Sequence, residues 1–213
     1  MTAPAATLPS ATAHWNRIAL WLVGATMAYN AAEAVVALWA GEAAGSISLL
    51  GFGLDSLIEL AAAAALFWRL SREWAGSDPE AVERAEALVQ RVVGATFVLL
   101  ALYVVGQAGW TIYARAAPRG SVVGIVLAAV SLAVMPLVSW GKLRAAARLG
   151  SAALRAEAKE TLACSYLSLV LLLGLGANAA LGWWWADPAA ALLMVPWLVK
   201  EGVEGLRGES CEH

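Results

Sequence analysis

The sequence predicts an all-α protein: a polytopic membrane bundle of six transmembrane helices with both termini in the cytoplasm. Three observations lead there. Hydrophobic residues make up 61% of the 213 and charged residues only 14%, where soluble domains carry about 25% charged. Mean hydropathy is +0.70. Apolar runs of spanning length recur along the whole chain, and Lys and Arg concentrate in alternate connections between them.

Residues 1–16 read as a disordered leader. Met1–Ala13 is rich in Ala, Thr and Pro and lacks the charged start and short apolar stretch of a signal peptide. The transmembrane domain occupies 17–207, with spans Ile18–Trp39, Ser46–Trp68, Leu88–Tyr113, Ser121–Trp140, Thr161–Trp185 and Pro188–Val203, and a short tail follows over 208–213. The sixth span is the shortest, and Lys200 can snorkel at its end. Trp15, Trp39, Trp68, Trp110, Trp140 and Trp183–Trp185 fall near span ends, as an interfacial aromatic belt requires. Gly41–Gly45 joins the first two spans. Asp78 can cap the third helix with Pro79 at its first position. Lys142–Lys159 is basic, Ala-rich and helical before the chain re-enters as the fifth span.

Twelve Lys and Arg residues lie on the side of the two termini, and only Arg115 and Arg119 lie opposite. That bias puts both termini in the cytoplasm of a bacterial-type inner or plasma membrane. With a net charge of -2 there is no basic surface for nucleic acid. No Gly-rich phosphate loop, nucleophile turn or Cys-x-x-Cys motif supports an enzyme.

The informative residues are acids where lipid should be. Asp55 and Glu59 stand four apart near the middle of the second span, hence on one helix face. A charge at that depth costs about 3 kcal/mol on the insertion scale. One carboxylate could be neutral and bonded to a neighbouring helix, but two on one turn more often mark an ion or proton path. Glu160 and Cys164 repeat the spacing at the start of the fifth span. Alone, Glu160 would be interfacial beside Arg155 or Lys159, and Cys164 a small core residue. Together, four such groups from two facing helices make a four-coordinate site for a divalent metal. Glu33 and Asn30 interrupt the first span as outer-sphere or proton-relay groups, although Glu33 could equally be neutral and bonded to another helix. Glu157 is expected to face the cytoplasm. Cys211-Glu212-His213 is a frayed terminus. Gly51, Gly53, Gly94, Gly106, Gly109, Gly124, Gly174 and Gly176 are expected to allow close helix approach, and Pro136 and Pro196 to offer kinks.

Gly45-Ser-Ile-Ser-Leu-Leu50 followed by Asp55-Ser-Leu-Ile-Glu59 resembles the second transmembrane helix of the cation diffusion facilitators. Trp185-Ala-Asp-Pro188 is similar to that family's entry into its sixth helix. The resemblance implies export of Zn²⁺ or a related divalent ion in exchange for protons, with no permanently bound cofactor. The family's Asp-x-x-x-Asp pair falls on Asp55 and Glu59, and its fifth-helix His-x-x-x-Asp pair on Glu160 and Cys164. The Glu/Cys pair departs from that pattern: a thiolate suits Zn²⁺ or Cd²⁺, while three carboxylates also suit Mn²⁺ or Fe²⁺. Zn²⁺ stands first among these. The family's usual cytoplasmic domain is not seen, so the chain resembles a short, transmembrane-only member, and a homodimer would rest on the helices. Two other classes use the same residues: a non-transporting membrane metal-binding or regulatory protein, and a proton-coupled carrier of a small solute.

Overall fold

A computed structural model describes residues 10–74 and 79–207. Within them the chain forms six helices: α1 (Ser10–Ala44), α2 (Ile47–Trp74), α3 (Pro79–Ala114), α4 (Val122–Leu149), α5 (Ala152–Leu181) and α6 (Ala186–Arg207). Among the described residues, five helices are long and apolar enough to cross a membrane. The shorter α6 carries Lys200, Glu201 and Glu204 in its last turns, which dilutes its apolar character, yet it packs along α3 and α5 like the others. The result is a polytopic helical membrane bundle.

The breaks between helices have local causes. Gly45, Gly150 and Gly182 all take positive φ, near +66°, a conformation that ends a helix without a Cβ penalty. Ser121 and Ser151 then restart the chain, accepting hydrogen bonds from the Gly124 and Leu154 amides at 3.1 and 3.2 Å, as N-caps do. Gly182 also stops α5 before Trp183–Trp185, which stand in the turn rather than in the fifth span. The span is displaced inward, beginning near Leu154, and takes Glu157 and Glu160 with it.

Other boundaries move for similar reasons. Helix α1 continues through Gly41 to Ala44, so the first connection is only Gly45–Ser46. At its other end α1 starts at Ser10, earlier than the boundary at residue 17 set by hydropathy. Trp15 explains the extension, because it packs on a satellite core of Ala19, Val23, Ala145, Ala146 and Leu154. Asp78 and Cys211-Glu212-His213 lie outside the described residues.

Helices α1, α2, α4 and α5 pack on one another, and α3 pairs with α6 along the α2 and α5 side. The main core, built on Leu49, Phe52, Met135, Leu167, Leu171 and Leu198, runs between the two groups. Small residues set the closest approaches. A Cβ at Gly94 would stand 2.6 Å from the Leu206 amide nitrogen, and one at Gly174 only 2.5 Å from Ala190 Cβ. Gly106, Gly109 and Gly176, by contrast, have nothing within 4 Å of that position. They do not set close helix contacts; Gly106 and Gly109 are exposed, and Gly176 is half-buried.

Candidate cation site

Helix α2 brings its acids into the interior. Asp55 is 2% exposed, and its Oδ2 has no hydrogen-bond partner among the described residues. Glu59, one turn further, is half-buried and accepts from Asn30 Nδ2 at 3.1 Å. Asn30 thus reaches from α1 to hold the second carboxylate, while its own Oδ1 is buried and has no partner among the described residues.

Glu33 is the junction of four helices. Ser56 of α2 donates to Glu33 Oε2 at 2.9 Å, and Ser131 of α4 donates to Oε1. Tyr29 of α1 meets Ser131 at 2.7 Å. Cys164 of α5 points its sulfur at Glu33 Oε2 from 4.0 Å. Asp55 lies within electrostatic reach of Glu33, Glu160 and Glu201, and Glu59 within reach of Asp55, Glu33 and Glu160. Asp55 and Glu59 therefore stand near Glu33 and Glu160, and Cys164, itself part of the main core, meets Glu33 from α5. As they stand, however, no three His, Cys, Asp or Glu side chains among the described residues are arranged to hold a metal ion.

Two polar groups flank this interior. On the cytoplasmic side by charge bias, Lys142 is fully buried and its ammonium contacts Glu157 Oε1 at 2.6 Å and Thr161 Oγ1 at 2.9 Å. This overturns two expectations. Glu157 does not face the cytoplasm, and Lys142, counted among the cytoplasmic cations, turns into the bundle. Both follow from the hairpin at Gly150-Ser151, which folds α5 back on α4 so that the two residues meet at one level. At the other end, Asp187 of α6 is fully buried and accepts from Ser46 Oγ at 2.5 Å, from Ile47 N at 2.9 Å and from Ser48 Oγ. From another helix it serves one of the free amides at the α2 N-terminus, that of Ile47, and two serine hydroxyls beside it.

Sequence reasoning overlooked the Lys142–Glu157 pair and Glu201, and expected Ser131 only as an ordinary helix–helix hydrogen bonder, which it is, though with Glu33 as its partner. Hydroxyl partners leave no signal in hydropathy. Lys142 lies eight residues before Gly150 and Glu157 six after Ser151, so the two fall within about one helical turn of the same level across the hairpin.

Comparison with known proteins bears on the same region. The cation efflux transmembrane domain matches residues 22–208, which takes in Asn30 to Glu201. A protein described as an uncharacterized transporter of Synechocystis sp. is 30% identical over 201 residues, covering 87% of this chain and 64% of the relative. The chain thus spans a little under two thirds of that protein's length.

Proposed function

The chain belongs to the cation efflux family, a family of non-enzymatic membrane transporters, and from that premise we propose that it exports a divalent metal ion in exchange for protons. The observation that carries this is Asp55, a carboxylate 2% exposed in a membrane-spanning helix with one oxygen left without a partner. Such a group is costly in the interior. A divalent ion supplies the missing partner and lowers the charge of the acids around it.

In this reading Asp55, Glu59, Glu160 and Cys164 hold the ion, and Asn30 and Glu33 orient the set. Asn30 fixes Glu59 directly, and Glu33 ties α1, α4 and α5 to Ser56, the neighbour of Asp55. Carboxylates and a thiolate bind metal only when deprotonated. Protons arriving from outside therefore displace the ion there, and their release inside restores the site. Zn²⁺ fits a mixed oxygen and sulfur set best, with Cd²⁺, Mn²⁺ and Fe²⁺ behind it. Exposure is graded to suit entry from within: Asp55 is buried, whereas Glu59 and Glu160, nearer the cytoplasmic side, are half-buried. The outer ends of α2 and α6 are meanwhile closed on Asp187.

Reconstitution into vesicles carrying a metal-sensitive and a pH-sensitive dye tests the proposal. Metal influx with opposite proton flow, lost in Asp55→Asn, is the expected result. Metal flux that persists in Asp55→Asn, or that moves no protons at any pH gradient, removes the mechanism.

A further inference from the structure

Glu201 was invisible in the hydropathy pattern, where it reads as the polar end of a short span. Its position in α6 is informative. The buried residues Asp187, Ala190, Ala191, Met194 and Leu198 form one stripe facing the core. Glu201 follows Leu198 by three and Met194 by seven, so it continues that stripe. It is half-buried, and no hydrogen bond or ion pair to it is found among the described residues.

The register of α5 against α6 shows what it meets. Gly174 packs against the α6 turn that holds Ala186, Asp187 and Ala190, and the Tyr166 hydroxyl donates to the Leu193 carbonyl at 3.2 Å. The helices are antiparallel neighbours, so residues equally far from that contact lie level. Glu160 is fourteen residues before Gly174, and Glu201 fourteen after Asp187. Each is about 21 Å along its own axis at ~1.5 Å per residue. The two carboxylates come to one depth from facing helices. Along α2, Glu59 is thirteen residues from Ser46, which binds Asp187, and so lies close to the same level. Asp55 sits one turn nearer the outside, buried, with its unpartnered oxygen in electrostatic reach of both Glu160 and Glu201.

We infer that Glu201 is a cation ligand contributed by α6, which with Glu160 receives the divalent ion from the cytoplasmic side and passes it to Asp55. The inference rests on the export reading above and adds a third helix to the two that carry the other ligands. It also gives α6 a direct part in the transport cycle, since its outer end is fastened to α2 through Asp187 while its inner end holds the ion. Removal of a hard oxygen ligand leaves sulfur a larger share of the site. Loss of Glu201 should therefore weaken Mn²⁺ binding more than Cd²⁺ binding.

The test is titration of the purified full chain in detergent with Cd²⁺ alone and with Mn²⁺ alone. Glu201→Gln is expected to lower affinity by about tenfold or more, with the larger loss for Mn²⁺, while Glu204→Gln binds like the unmodified chain. Glu201→Cys gives a second readout. With Cd²⁺ it should show a thiolate-to-metal ultraviolet band larger than the native cysteines give alone. Unchanged affinity in Glu201→Gln, or no added band in a folded Glu201→Cys protein, overturns the α6 ligand. If Asp55→Asn abolishes binding in those experiments, the export reading survives that failure. If Asp55→Asn also binds normally, both fall.

Discussion

Lys142→Met should be among the most damaging single changes in the chain, and the structure says by how much. Lys142 is fully buried and Glu157 is 7% exposed. The ammonium engages Glu157 Oε1 at 2.6 Å and Thr161 Oγ1 at 2.9 Å, while Glu157 Oε2 has no partner among the described residues. Removal of the cation leaves a buried carboxylate with nothing opposite it, which costs about 3–5 kcal/mol. Glu157→Leu alone strands the ammonium with a single hydroxyl and costs a similar amount. Replacing both, as Lys142→Met with Glu157→Leu, removes the desolvation of two charges together. Thr161 stays satisfied, since its hydroxyl also donates to the Glu157 carbonyl at 3.0 Å. With one carboxylate oxygen already unserved, the pair is not an optimised one, and the double variant should lie within about 1 kcal/mol of the parent. Reversible unfolding in mixed micelles with increasing SDS gives the four free energies of the cycle. Costs in the two single variants that simply add in the double variant would refute the claim that the residues act as one buried pair.

Two further outcomes follow from the contacts. Asp187→Ala should destabilise the bundle by about 3 kcal/mol, because two serine hydroxyls and the Ile47 amide lose a buried acceptor. Ser46 and Ser48 already lie 3.3 Å apart and can bond each other, so Asp187→Ala combined with Ser48→Ala should cost no less; the same SDS titration reads both. Gly94→Ala drives a Cβ into the α6 backbone at 2.6 Å and should cost about 1–3 kcal/mol. Gly106→Ala or Gly109→Ala on the same helix meets open space and should be neutral or stabilising by up to about 1 kcal/mol. Equal effects at Gly94 and Gly106 would contradict the packing described.

The sequence made the spans legible because burial in lipid demands long apolar runs, and those runs survive any detail of packing. It made Asp55 and Glu59 legible because a charge at mid-span has no ordinary explanation. It failed where one residue type serves two environments. Lys142 counted as a cytoplasmic cation because basic residues crowd the connection from span four to span five, and nothing local distinguishes the one that turns inward. Glu201 followed Lys200 and preceded Glu204, so it looked like part of a solvated end. Only the spacing from Leu198 and Met194 set it apart. The glycines divide for the same reason: composition cannot say which face of α3 carries Gly94 and which carries Gly106.

Three of the four acids buried among the described residues are treated in three ways, and the contrast bears on function. Asp187 receives two hydroxyls and an amide. Its charge is fully served by the protein, and nothing mobile is needed to keep it there. Glu157 has a fixed cation from the chain itself. Asp55 has neither among the described residues, and its Oδ2 lies within electrostatic reach of other carboxylates. If burial of acids merely stitched helices together, Asp55 would be easy to satisfy, since Ser56 adjoins it on the same helix and Ser131 of α4 shares an acceptor with Ser56. Those serines instead donate to Glu33. The bundle thus spends its hydroxyl donors on the residue that joins α1, α2, α4 and α5 and leaves the neighbouring carboxylate unserved. That division suits an ion that must leave again: a ligand saturated by the protein would hold the cation poorly, and one with a permanent cation beside it would repel it.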